Sequence, residues 1–236
     1  MISIDFHTHG LKPDKSIQLL NCFAQDLPLT DDGNLYSVGI HPWHLESIEI
    51  NECLQAMEQA MILPNVVAVG ECGIDRAIDT EVVWQEYYFR KQAEMALRFS
   101  KPLIIHCVRA YPEVMRMKRL VRTTLPWIIH GFRGNEQTAA SLIKNGFYIS
   151  VGGKLLDDPR KMKAFSMISL DRLFLETDDS HHSINDIYEQ AARLLNIQVE
   201  DLQERIMANF KEIFAGNRTV ANKIKTIENH PNHLHS

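Results

Sequence analysis

Short apolar runs that stop at a polar residue recur along the chain, and most are followed by a stretch whose apolar positions have helical spacing. The runs are Ile2–Phe6, Val38–Ile40, Val66–Val69, Leu103–Ile105, Ile128–Ile129, Phe147–Val151 and Leu173–Leu175. Most are apolar on both faces, as strands of a parallel sheet covered on both sides should be. Helical spacing marks Asn51–Met61, Val82–Phe99, Pro112–Thr123, Glu136–Lys144, Pro159–Ile168 and Asn185–Leu195. The alternation predicts an α/β fold with a parallel sheet. Ser16–Phe23 reads either way: as a helix it leaves seven strands, as a strand it makes eight and permits a TIM-type (β/α)8 barrel. The eight-strand reading is preferred. Only six residues separate His9 from Ser16, fewer than the roughly 10–12 of a normal crossover, so the first crossover helix is expected to be missing or shortened. Val199–Phe214 reads as a closing helix, with Asp201 in its first turn and Gly216 as its stop.

No repeat, low-complexity tract or linker divides the sequence. Residues 1–228 are therefore expected to form one barrel domain and 229–236 a polar tail, whose His230, His233 and His235 read as solvated. With 45% hydrophobic and 23% charged residues the chain is not a disordered one. A net charge of −5 argues against coating duplex nucleic acid by charge alone, yet leaves room for one basic pocket that grips a strand end. No signal peptide and no membrane span are expected, because no basic leader or window of about 18 apolar residues is found. The four cysteines, Cys22, Cys53, Cys72 and Cys107, form no CxxC pair, so a reducing, cytoplasmic setting is expected and a disulfide framework is not.

Chemistry enters at the strand ends, where α/β barrels carry their active sites. Run after run ends in a metal-type ligand: His7-Thr8-His9, His41, Glu71, His106, His130 and Glu176-Thr177-Asp178. Residues i and i+2 of a strand share a face, so His7 and His9 can reach one ion, while Asp5 lies one step deeper and can orient a ligand. Singly, each of these is as easily a core histidine or a salt-bridge partner. Together they are not, because gathering buried carboxylates and imidazoles costs several kcal/mol unless a cation compensates. Nitrogen and oxygen donors without sulfur suit Zn, Mn, Fe, Co or Ni better than a structural zinc site, and a carboxylate can bridge two ions about 3.5–4 Å apart.

The motifs IDFHTH (4–9), VGIHPW (38–43), VAVGECGID (67–75), KPLIIHC (101–107), IIHGFRG (128–134) and LFLETDDS (173–180) resemble those of the TatD metal-dependent hydrolases, within the amidohydrolase-like barrel superfamily. WQEYYFRKQAEMA (84–96) and MANFKEIF (207–214) match too, in family order across nearly the whole chain. The resemblance implies two divalent ions (Mg included among the candidates). His7, His9 and Asp178 would hold one, His106 and His130 the other, and Glu71 would bridge them. It makes Asp178 the general base as well, and implies a monomeric deoxyribonuclease, often a 3′→5′ exonuclease on single-stranded DNA.

The departures fall on the rim. The family's H-x-R-D-A appears as His106-Cys107-Val108-Arg109-Ala110, so Arg109 leaves the strand on another side unless the backbone adjusts. Arg133 stands where the family has a small polar residue, and can meet a phosphate or remain a loop arginine. The segment after Asp178 is short. His41 can contact substrate, support the ligands or brace the Pro42 turn. Cys72 and Cys107 are expected to face away from the metals. Arg116, Lys118, Arg119 and Arg122 read as a solvated helix face, and Trp84, Tyr87 and Tyr88 as core packing. Two other classes stay open: hydrolysis of a different ester or amide (a small phosphoester, an aminoacyl-tRNA ester) by the same dinuclear site, and a non-catalytic binding barrel.

Overall fold

The computed structural model describes residues 2–29, 32–158, 160 and 162–229. Its strands are β1 (Ile4–Thr8), β2 (Ile17–Phe23), β3 (Leu35–Gly39), β4 (Val66–Asp75), β5 (Leu103–Val108), β6 (Trp127–Ile129), β7 (Phe147–Val151) and β8 (Leu173–Leu175). They pair in chain order, and every pairing is parallel. Beyond β8, the Asp178 amide donates to the His7 carbonyl at 2.9 Å and Thr8 bridges to Asp178, which brings the last strand back to the first. The result is a nearly closed TIM-type barrel, as the alternation predicts.

Ser16–Phe23 falls on the strand side of its two readings. Residues 9–16 contain no helix; instead the Gln18 side chain accepts from the Lys12 amide at 2.8 Å and donates to its carbonyl at 2.9 Å, closing a tight link. The helices are α1 (Ile50–Ala60), α2 (Val82–Arg98), α3 (Tyr111–Val121), α4 (Glu136–Lys144), α5 (Gly153–Leu156), α6 (Met162–Ser166), α7 (Ile184–Leu195), α8 (Val199–Ile213) and α9 (Arg218–Asn229). Gly216, at φ +83°, ends the turn after α8. The helix α9 beyond it has no counterpart in the sequence reading. Its Val220, Ile224 and Ile227 join the core, and Lys223 reaches the Gly33 carbonyl at 2.8 Å. The helix expected at Pro159–Ile168 spans only Met162–Ser166 among the described residues. The tail histidines His230, His233 and His235 lie outside them.

Alternation sorts each strand into two faces. On β1, Phe6 turns outward to stack on Phe174 at 4.1 Å and meets Phe210 of α8 edge-on, while Asp5 and His7 turn inward. Asn209 of α8 donates to the carbonyls of Leu170 and Leu173, at 2.7 and 2.9 Å, and so fixes where β8 begins. One expectation fails. Trp84 and Tyr87 are exposed rather than packed in the core, because α2 buries the stripe Gln85, Phe89, Gln92, Ala93 and Ala96, and the aromatics fall on the opposite side.

Candidate active site

Glu71 is the centre of the barrel mouth. Its Oε1 lies 2.6 Å from His130 Nε2, 2.9 Å from His106 Nδ1 and 3.0 Å from His41 Nε2. Its Oε2 lies 3.4 Å from His7 Nε2 and 3.6 Å from His9 Nε2. Five imidazoles from four strand ends thus converge on one buried carboxylate. Asp178 completes the group, with Oδ1 at 3.3 Å from His9 Nε2 and 4.0 Å from His7 Nε2.

The backbone that carries these groups is held as firmly as the groups themselves. β4 continues through Glu71 to Asp75 because Gly70 and Gly73 adopt φ +134° and +150°. A Cβ on Gly73 would run into the His106 carbonyl, so only glycine lets β4 and β5 approach here. The Glu71 amide donates to Asn21 Oδ1 at 2.8 Å. Two buried glutamines of α2 clamp the strand ends. Gln92 pairs both backbone groups of Ile40, beside His41, at 2.7 and 3.1 Å; Gln85 accepts from the Asp75 amide at 2.7 Å and donates to its carbonyl at 3.0 Å.

Burial alone would push Glu71 toward its neutral form, but the charge of His130 and hydrogen bonds from His106, His130 and His41 hold it well below the usual carboxylate range. Asp178 is likewise held down, against burial, chiefly by its hydrogen bond with His9. Burial opposes charge on His106 and His130, yet both are raised by their carboxylate neighbours, Asp75 and Glu71 for the first, Glu71 and Glu176 for the second. His41 goes the other way, to about 4, because burial outweighs Glu71. Its Nδ1 accepts from the Trp43 amide at 3.2 Å, so its proton sits on Nε2, toward Glu71. His41 therefore both braces the Pro42 turn and orients Glu71.

The donor set suits a metal. His7 is fully buried, and neither of its ring nitrogens has a hydrogen-bond partner among the described residues; His130 Nδ1 shares that condition. An orphaned buried polar group is costly, and a cation facing His7 Nε2, Glu71 and Asp178 would relieve it. Among the described residues, ligand atoms lie within 4.8 Å of one another in three groups: His7, His9 and Asp178; His7, Glu71 and His130; His41, Glu71 and His106. Cys72 and Cys107 are buried, with burial pushing both thiols up, and Cys107 nevertheless borders the cleft, unlike the expectation that both turn from the mouth.

Asp5 meets the chain next to a candidate ligand. It accepts from the Thr177 amide at 2.8 Å and hydroxyl at 2.7 Å, so it anchors the segment bearing Asp178 rather than a histidine. Burial pushes its carboxyl up to about 7. Asp5→Ala would strand both Thr177 donors, each worth about 1–3 kcal/mol when buried and unpaired. Denaturant unfolding should show a loss of roughly 2–6 kcal/mol on that basis.

Above the centre lies a cleft of about 820 Å³. Arg109, Arg133 and Lys154 line one side of it, and Phe23, Trp43 and His44 also line it. Arg109 sits at φ +54°, the backbone adjustment that its displaced position requires to bring it to the mouth. Arg116 and Lys118 of α3 belong to the outer layer, where Arg116 pairs with Glu86 and Lys118 donates to the carbonyls of Asn145 and Gly146.

Several site residues have no assigned role from sequence, although Glu176 is named there at its strand end. Asp75 accepts from Trp43 Nε1 at 2.7 Å and lies 3.0 Å from His106 Nε2; its ordinary value is lowered to about 2, against burial, by those two contacts. Glu176 accepts from the Gly131 amide at 2.6 Å and faces His130 Nδ1 at 3.6 Å. Lys154 stands 3.9 Å from Asp178 Oδ2 and pairs with Asp179. The signal for Asp75 was available in the GECGID stretch; Lys154 and Asn21 had none.

Among the described residues no helix is long and apolar enough to cross a membrane. A family profile described as TatD related DNase matches residues 7–215. The uncharacterized metal-dependent hydrolase YjjV of Escherichia coli K12 is 33% identical over 75% of this chain and 73% of its own. A protein of Erwinia billingiae named 3′-5′ ssDNA/RNA exonuclease TatD is 32% identical over 66% of this chain and 61% of its own. The crystal structure of YjjV superposes with a TM-score of 0.73 at 22% identity, covering 84% of this chain and 85% of that one, which shows the shared barrel. With the profile spanning nearly the whole barrel, the chain belongs to the TatD family of metal-dependent hydrolases.

Proposed function

We propose that this hydrolase cleaves phosphodiester bonds at the ends of single-stranded DNA, removing nucleotides in the 3′→5′ direction. The carrying observation is Glu71 surrounded by five imidazoles, with Asp178 at its edge, beneath a cleft lined by three cationic side chains. His7, His9 and Asp178 would hold one divalent cation, His106 and His130 a second, with Glu71 shared. Such cations supply acidity to water and charge neutralisation to phosphoryl oxygens. Asp178, kept ionised by His9, takes the proton of the attacking water. Arg109 and Arg133 grip non-bridging oxygens, which matches guanidinium geometry to phosphate. The leaving 3′-oxygen takes its proton from solvent, giving a 5′-nucleotide and a shortened strand. A cleft of about 820 Å³ lies within the roughly 300–1,000 Å³ of pockets for small ligands, which suits a strand end rather than a duplex. The name of the Erwinia billingiae relative supports the same direction of attack.

The test is digestion of 5′-labelled single-stranded DNA with Mg²⁺, Mn²⁺ or Zn²⁺, set beside a small phosphodiester, an aminoacyl ester and an amide, with metal content measured in the same preparation. Stepwise shortening from the 3′ end, abolished by chelator, is expected. Faster turnover of the carboxyl ester than of any phosphodiester would overturn the reading. Within the same assay, Arg109→Gln and Arg133→Gln should each raise KM on the order of tenfold, the value of a charge-assisted contact. Arg116→Gln, on the outer layer, should leave KM unchanged.

A further inference from the structure

The mouth has two chemically different walls. Arg109, Arg133 and Lys154 follow β5, β6 and β7; aromatic rings follow β2 and β3. Phe23 is the last residue of β2, two after Asn21, which bonds the Glu71 amide. Strand alternation puts Phe23 on that same inward face, one step nearer solvent. Its ring centroid lies 5.5 Å from that of His9 and 4.7 Å from that of His44. Trp43, in the turn after β3, is 61% exposed. Its indole is nevertheless fixed, because Nε1 donates to Asp75 at 2.7 Å and the ring packs edge-on to His41 at 4.8 Å. His44 is tied at Nδ1 to Gln25, at 2.9 Å. All three rings thus border the cleft, Trp43 exposed and Phe23 and His44 half-buried.

A large aromatic held rigid and exposed beside a catalytic centre is the arrangement on which unpaired bases stack, without regard to sequence. We infer that Phe23, Trp43 and His44 form the seat for the nucleobase of the 3′-terminal nucleotide, while the strand it is cut from runs across the cationic wall. The inference rests on the DNA-end reading and adds to it an orientation: base toward β2 and β3, preceding phosphates toward β5 to β7. It makes Phe23 and Trp43 specificity-determining residues, and it makes the base, not only the phosphate, a requirement for efficient cleavage.

The experiment compares kcat/KM on 5′-labelled single strands ending in deoxyadenosine or in an abasic tetrahydrofuran residue. The native chain should favour the base-bearing end by roughly tenfold or more, the value of one base–aromatic stack. In Phe23→Leu and in Trp43→Leu that ratio should collapse toward one, whereas Trp84→Leu on α2 should keep the native ratio. Phe23 is half-buried, so Trp43→Leu, at the more exposed position, carries the test if the first variant folds poorly. Calorimetry gives a readout independent of turnover: dAMP should bind about tenfold tighter than deoxyribose 5-phosphate, and only in chains with both rings. A native chain that cuts both ends equally, or a ratio that survives both leucine variants, overturns the base seat and leaves the nuclease reading standing. A native chain that cuts neither end but hydrolyses another ester overturns both together.

Discussion

Asp178→Asn should lower kcat on any substrate of this site by about 10²–10⁴-fold, the usual contribution of a positioned general base. The substitution is chosen because it keeps the side chain's shape and the backbone contacts around it. Asp178 occupies φ +53°, a left-handed conformation that Asp and Asn tolerate better than other side chains with a Cβ. Its amide still bonds the His7 carbonyl, so the junction of β8 with β1 is preserved. The amide oxygen remains a ligand toward His7 and His9 in shape, but it cannot take up a proton at neutral pH. The expected signature is therefore a fall in kcat with little change in KM or in unfolding midpoint. Asp179→Asn supplies the contrast. That carboxylate is 62% exposed and pairs with Lys154, so its loss should alter kcat only a few-fold, as for a surface ion pair of at most about 1 kcal/mol. An Asp178→Asn chain that keeps activity near the native level would remove Asp178 from the chemistry and leave it the residue that joins β8 to β1.

What the sequence made legible follows from which constraints are local. A strand that ends in HTH or ETD announces both its period and its ligand, so the residues that surround Glu71 could be named from one dimension. The mouth also needs residues whose roles exist only across strands. Asn21 is an ordinary strand residue until the Glu71 amide lies 2.8 Å from it. Lys154 belongs to a four-residue helix and matters only because β7 and β8 are neighbours. Asp75 escapes for another reason: the apolar run ends at Val69, whereas two glycines carry β4 six residues further. Trp84 and Tyr87 show the opposite failure. Aromatic content suggested core, but the register of α2, fixed by Gln85, Phe89 and Gln92, turns them to solvent. Glutamines at core positions were the unread clue, since each clamps the backbone at a strand end.

Returning a divalent cation to metal-stripped protein should raise the unfolding midpoint, and Glu71→Gln should abolish most of that rise. A ligand that binds only the folded chain stabilises it by about 2.7 kcal/mol when present at a hundredfold excess over its Kd. In a domain of this size each kcal/mol moves Tm by roughly 2–4 °C, so one filled site should add about 5–11 °C and two sites more. Glu71 is the right residue to remove because both proposed cations share it, whereas loss of His9 or His106 would weaken one. The absolute midpoint is the wrong quantity to compare. Without metal, Glu71 already offsets the buried imidazoles of His106 and His130, shifting both toward their charged form, and breaking a buried charge pair costs about 3–5 kcal/mol by itself. Glu71→Gln therefore starts from a lower Tm, and the measurement that separates a metal role from a packing role is the increment on adding Zn²⁺ or Mn²⁺. Asp179→Asn should keep the native increment in full. An undiminished increment in Glu71→Gln would mean that the cations bind without the shared carboxylate, and the bridged pair of sites at the barrel mouth would have to be abandoned.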